Sequence, residues 1–338
     1  VYTLSALPSF ADATRTRLLK TEYIFMPYRP SHAILTAGAL SISASTTVTA
    51  AAGVDATTAA VHSNATVTGV GNPTVTGPVT STSASSFSSN NFSSNPGGGV
   101  YVKAAQSIPA VSALQFYMRA PTSDPSAIAD WYDLCSGGVV RPYGTTGPCT
   151  ATTTIGTATS SIGIRGWTYT SSSRTWTASK NTLPGTYYAH EANVDTGTGN
   201  GTIAKFTVIA SAQNPDNCSS KQYGNITWDH YDLTAPAYNN LWMFADTDLV
   251  THSNWKAGSM TVPVVSGMFV AGDQVQLETS SAGAVGSVVA ADQCSTASPK
   301  GLITTSEVKN PSIYFDPNSD APFASVITTS LWLDYSGG

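Results

Sequence analysis

Three hundred and thirty-eight residues, only 10% of them charged and with a net charge of −5, exclude both a polybasic nucleic-acid-binding chain and a charge-driven disordered one. No run of 18 apolar residues offers a membrane-spanning helix, and the length suffices for a large core in about two domains. Glu occurs four times, whereas β-branched Thr and Val abound, so the composition predicts an all-β protein with many loops.

Residues 1–20 read as an N-terminal arm with a helical turn at Ala11–Leu19, and Thr21–Pro30 (TEYIFMPYRP) as a first strand ended by its prolines. Leu40–Thr49 alternates apolar and polar residues as a half-buried strand does, and Asn64–Pro78, with VTG twice, reads as a hairpin. Residues 81–99 are low-complexity and read as a mobile insertion. Ala113–Arg119 predicts a strand, and Asp124–Leu134 a helix with Asp124 at the N-cap, Pro125 in the first turn, and Ile128, Trp131 and Leu134 on one face. Strands follow at Ile162–Thr170, Arg174–Ala178, Thr186–His190, Ile203–Ala210 and Asn225–Leu233, and shorter ones beyond Pro236.

No nucleophile elbow, dinucleotide fingerprint or phosphate loop is present, so no active site is expected. Val194–Gly199 (VDTGTG) resembles an aspartic-peptidase loop but lacks the second Asp-Thr/Ser-Gly that a shared-proton dyad needs; Asp195 reads as part of a Gly-rich hairpin turn. His190-Glu191 and Asp229-His230 are acid–base pairs in type, yet neighbours on a strand point to opposite faces. Asp124, Asp130 and Asp133 around the helix, with Asp246 and Asp248 in a turn, are candidate calcium ligands at a subunit interface, weighed against caps and turn residues. Asp316 and Asp320 sit in a further turn. Cys135 and Cys149 enclose a Gly/Pro-rich loop and read either as a disulfide contributing about 3 kcal/mol or as buried thiols. Five N-glycosylation sequons start at Asn64, Asn91, Asn200, Asn217 and Asn225.

The order of an arm, the Glu22-Tyr23 strand, a mid-chain helix and the closing strand GNITWDHYDLTAP (Gly224, Ile226, Tyr231, Leu233, Pro236) resembles the shell domain of tombusvirus, sobemovirus and nodavirus-like coat proteins. That resemblance implies an eight-stranded antiparallel jelly-roll sandwich over residues 21–236, followed over 237–338 by a second, protruding β-domain or by extra strands of the first. It implies a capsid protein that self-assembles with copies of itself into an icosahedral shell around genomic RNA. Arg15, Arg17 and Lys20 of the arm would then meet the nucleic acid, and the location would be the virion. The alternative is a secreted or cell-surface β-sandwich glycoprotein, an adhesin or fibre subunit, which accounts equally well for the Thr/Ser richness and the sequons. A carbohydrate-acting enzyme stands third, with Trp167, Trp176 and Trp228 as a sugar-stacking face.

Overall fold

The computed structural model describes residues 2–6, 17–28, 30–43, 45–83, 96–108, 111–118, 130–145, 149, 165–238, 240–255, 267–279, 284–294, 302–317 and 321–336. These residues are nearly all β, as the β-branched composition predicts. Their pairing, however, is largely parallel. Ten strands of the first sheet stack parallel in the order 131–135, 185–189, 206–210, 241–245, 267–271, 284–290, 34–36, 61–63, 79–81 and 100–102. After a corner, each of seven coils continues into a second parallel sheet, stacked 193–196, 226–228, 249–251, 275–278, 306–309, 40–43 and 67–70. Ser312–Phe315, Thr47–Ala50 and Thr74–Val75 form a third parallel face.

The chain therefore winds as a parallel β-solenoid. The antiparallel ladder of the expected jelly roll is replaced because each strand pairs with its equivalent one coil away instead of with its sequence neighbour. At about 4.8 Å per step, the ten first-sheet strands span roughly 43 Å.

The winding does not follow chain order. From Ile34 the coils run toward Val100–Val102; the chain then returns along the outside of the first sheet and restarts at Trp131. From there it winds back until the 284–290 strand meets the 34–36 strand. A seam of three parallel pairings thus joins chain segments that are remote in sequence: Val288 with Ile34, Val308 with Ile42, and Ile313 with Val48. The returning segment contains the helix Ala113–Met118, where a strand was expected. Val111, Ala113 and Phe116 cover Tyr188, Ile209, Phe244, Val270 and Val289 on the outer face. This strap explains why the first sheet is apolar on both sides, a pattern that reads as a buried parallel strand and not as alternation.

Side chains stack in columns inside the solenoid. Tyr187, Val208, Met243, Phe269, Val288, Ile34, Val61 and Val79 form one; Trp176, Val194, Ile226, Leu249 and Val275 form another across from it. Next to the first corner stands a column of small residues: Ala189, Ala210, Ala245, Ala271, Ala290, Thr36, Ser63 and Ser81, all fully buried. A larger side chain there would collide with the next sheet as the backbone turns. The three hydroxyls at the end of the column donate to corner carbonyls, Thr36 and Ser63 to Gly38 and Ser81 to Ser83. Close approach also requires glycine at Gly267 and Gly286, whose backbones pair: a Cβ on Gly286 (φ +127°) would run into the carbonyl of Gly267, and one on Gly267 into the Trp242 indole.

Several local expectations change for this reason. Trp131–Cys135 is a strand, not the end of a helix; residues 124–129 lie outside the described residues. The two VTG tracts lie on successive faces of one coil, each pairing with a strand of the previous coil, so no hairpin joins them. Leu40–Thr49 divides between two faces in the same way. The chain passes Pro236 within a coil, between the adjacent parallel strands Phe206–Ala210 and Leu241–Ala245.

Outside the solenoid, Tyr2–Ala6, Arg17–Tyr28 and Ala321–Ser336 form a separate antiparallel sheet. Arg17 to Tyr28 align with Ser336 to Ala321 through two register shifts.

Candidate functional site

Two disulfides use all four cysteines: Cys135–Cys149 at the first coil and Cys218–Cys294, which ties two corner insertions together. Of the two readings open for Cys135 and Cys149, the pair is the bridge.

Beside Cys149 lies a polar cluster on the outer face. Asp133 is wholly buried, and its Oδ2 accepts hydrogen bonds from Tyr117 Oη at 3.1 Å and Arg141 Nε at 3.4 Å. Its Oδ1 faces His190 Nε2 at 3.1 Å. The parallel register places Asp133 opposite Tyr188, so His190, at the following corner, swings over the carboxylate from the neighbouring coil. The rings of Tyr117 and Tyr188 both pack edge-on to the imidazole and are tilted to each other. Burial, then the Asp133 charge, raises the Tyr117 hydroxyl well above its ordinary range, so it stays a donor. His190 thus pairs with Asp133 and not with Glu191, which faces Arg174 at 3.9 Å. Cys149, Asp133 and His190 bring their ligand atoms within 4.8 Å of one another.

A second cluster fills the corner after the first sheet. Asp246 accepts from the amides of Ala113 in the strap at 2.6 Å and Ala212 at 2.9 Å. Asp248 accepts from Gln274 N and Ile303 N at 3.0 Å and from Leu302 N. Fully buried Lys221 donates Nζ to the Asp246 carbonyl at 2.5 Å. Asp273 and Asp292 follow one and two coils on, and Gln274 Nε2 donates to Asp292 at 2.6 Å. Burial pushes Asp246 up to about 6, and burial with the Asp248 charge pushes Asp273 up to about 7. Burial lowers Lys221 against the pull of these carboxylates. The cluster is an internal charge network that holds loops and strap.

Among the described candidate calcium aspartates, the chain itself does not bring Asp133 together with Asp246 and Asp248. Asp133 lies three strands from Asp246 in the first sheet, roughly 14 Å away. Asp246 and Asp248 spend their oxygens on backbone amides, Asp130 is exposed in a turn, and Asp124 lies outside the described residues. Arg17 and Lys20 belong to the antiparallel sheet, opposite Ser336 and Leu333, and Arg15 lies outside the described residues. Asp316 sits at the end of the third face, and Asp320 lies outside the described residues.

Asp195 lies on a parallel strand opposite Thr177, not in a hairpin, and burial raises its carboxyl. Asp229 and His230 do meet, Oδ2 to Nε2 at 3.5 Å, because they lie past the end of the Ile226–Trp228 strand, where strand alternation does not apply. Trp167, Trp176 and Trp228 are 1%, 0% and 0% exposed, so they are core and offer no stacking face. Asn225 is buried and Asn64 hydrogen-bonds the strap, whereas Asn200 and Asn217 are exposed; Asn91 lies outside the described residues.

Sequence reasoning missed Tyr117, Arg141, Lys221, Asp273 and Asp292. A signal for the aspartates existed: YYAHEAN, MFADTDL, FVAGDQV and VVAADQC each place an inward alanine before a polar corner.

The outer face of the second sheet is polar and sparsely charged, with Thr168, Thr175, Thr177, Thr227, Gln276 and Thr68 along it. Its ions partly pair, Lys309 with Glu278 at 2.9 Å.

No protein-family model matches the chain, and no curated protein does. Among solved structures, the chain is similar to the competence-associated pilin ComZ from Thermus thermophilus, at 12% identity and a TM-score of 0.33, over 95% of this chain and 78% of that one.

Proposed function

We propose that this chain is a displayed, non-catalytic structural protein, an adhesin or fibre subunit that works outside the reducing cytoplasm. The observation that carries the reading is topological. Arg17–Tyr28 and Ala321–Ser336 pair along their length in one small antiparallel sheet, and the parallel coils lie in the chain between them. In this reading the small antiparallel sheet is the base for assembly with copies of the chain, and the coils between its strands are what it presents.

Two disulfides, with all four cysteines paired, suit an oxidising compartment. The uncharged outer face suits close contact with sister copies or a neutral ligand, since unpaired charges are costly to desolvate. The resemblance to shell domains implied an antiparallel jelly roll, whereas the coils pair in parallel. Internal hydrogen bonding of Asp246 and Asp248 withdraws support from interface calcium.

Immunogold electron microscopy of intact source cells, with antibody raised against the solenoid, tests the reading. Label on the surface or along filaments is expected. Label confined to the cytoplasm, or to icosahedral particles, overturns it.

A further inference from the structure

The Asp133–His190 pair carries a chemical oddity. Asp133 Oδ1 and His190 Nε2 are both buried, and neither has a hydrogen-bond partner among the described residues, although they face each other at 3.1 Å. Two atoms bound to one tetrahedral zinc ion, each at 2.0–2.1 Å, sit about 3.3 Å apart. Oδ2 of the same carboxylate is occupied by Tyr117 and Arg141, which leaves Oδ1 turned toward the imidazole, the arrangement outer partners impose on a ligating carboxylate. The third atom is Cys149 Sγ, within 4.8 Å of both and held in the Cys135 bridge.

We propose that Asp133, Cys149 and His190 form a redox-gated site for a thiophilic divalent cation of the zinc class, shut by the Cys135–Cys149 bridge in the oxidising compartment of the displayed protein and opened only where a dithiol reductant reaches it. A dithiol reductant breaks the S–S bond, is itself oxidised to a disulfide, and leaves two thiols on the protein. Capture of the cation then expels the Cys149 proton to solvent, and Sγ, Oδ1 and Nε2 supply three ligands. The fourth position falls to water or to the Cys135 thiol freed in the same step. The rings of Tyr117 and Tyr188 wall the imidazole on two sides.

Cobalt(II) titration in a Cys218→Ser/Cys294→Ser background reads the site by its sulfur-to-metal charge-transfer band. Reduced protein is expected to bind one equivalent that zinc displaces, and oxidised protein none. Cys135→Ser, which frees Cys149 without a reductant, is expected to show the same band; Cys149→Ser is expected to abolish it. His190→Ala and Asp133→Asn are each expected to weaken binding at least tenfold. Absence of the band in both reduced protein and folded Cys135→Ser, or binding unchanged by His190→Ala and Asp133→Asn, overturns the proposal.

Discussion

Val288 and Ile34 stand in register on adjacent parallel strands, although one belongs to the last described coil and the other to the first. No disulfide crosses the seam they mark, so the packing of the N-terminal coils on the later ones depends on it. Ile34→Ala is expected to cost about 2–4 kcal/mol, the cavity cost of a fully buried isoleucine. Amide exchange should accelerate in 34–81 and 284–315 together; acceleration confined to Ile34's own strand would speak against a shared seam.

Cys218–Cys294 closes a loop of 76 residues, and Cys135–Cys149 one of 14. Loop-closure entropy predicts that losing the longer loop costs about 4 kcal/mol and losing the shorter about 3 kcal/mol. Denaturant titration of the two double Cys→Ser variants checks the order.

Asp273 Oδ1 is buried without a hydrogen-bond partner, and the carboxyl is pushed up to about 7 from 3.8. A folded-state value above the unfolded one means that the native protein holds the proton longer. This contribution is therefore full below about pH 4 and is lost as pH rises through 7. Asp273→Asn is expected to stabilise the protein at pH 8 by about 2 kcal/mol and to do little at pH 4. Denaturant midpoints at the two pH values decide it; an equal effect at both would sink the argument.

The strap is held by Phe116, packed on Trp131, Tyr238 and Phe244, and by the Tyr117–Asp133 hydrogen bond. Phe116→Ala is expected to cost about 3–5 kcal/mol and Tyr117→Phe about 1 kcal/mol. Both should raise protease sensitivity within 103–118 before the solenoid itself unfolds; cleavage only after global unfolding would show that the strap is not a separate unit.

Strand content was legible because β-branching and a shortage of helix formers act locally, residue by residue. Direction of pairing was not. The stretches Ile203–Ala210 and Leu241–Ala245 look the same whether they pair parallel or antiparallel, and only the alanine before each corner hinted at stacked coils. The helix expected at Asp124–Leu134 failed at Trp131–Cys135, where pairing to the 185–189 strand outweighed helical spacing. Conversely, Ala113–Met118 became helical because it crosses a sheet face instead of joining it.

By itself the sequence determined that the chain is β, sparsely charged and able to form a Cys135–Cys149 bridge, since those follow from side-chain type and short spacing. Tertiary structure alone decided that remote coils share a seam, that Asp133 meets His190 and Cys149, and that Lys221 lies buried among carboxylates. Those neighbours are set by the stacking of one coil on another, and the spacing between equivalent residues varies too much along the chain for any single period to reveal them.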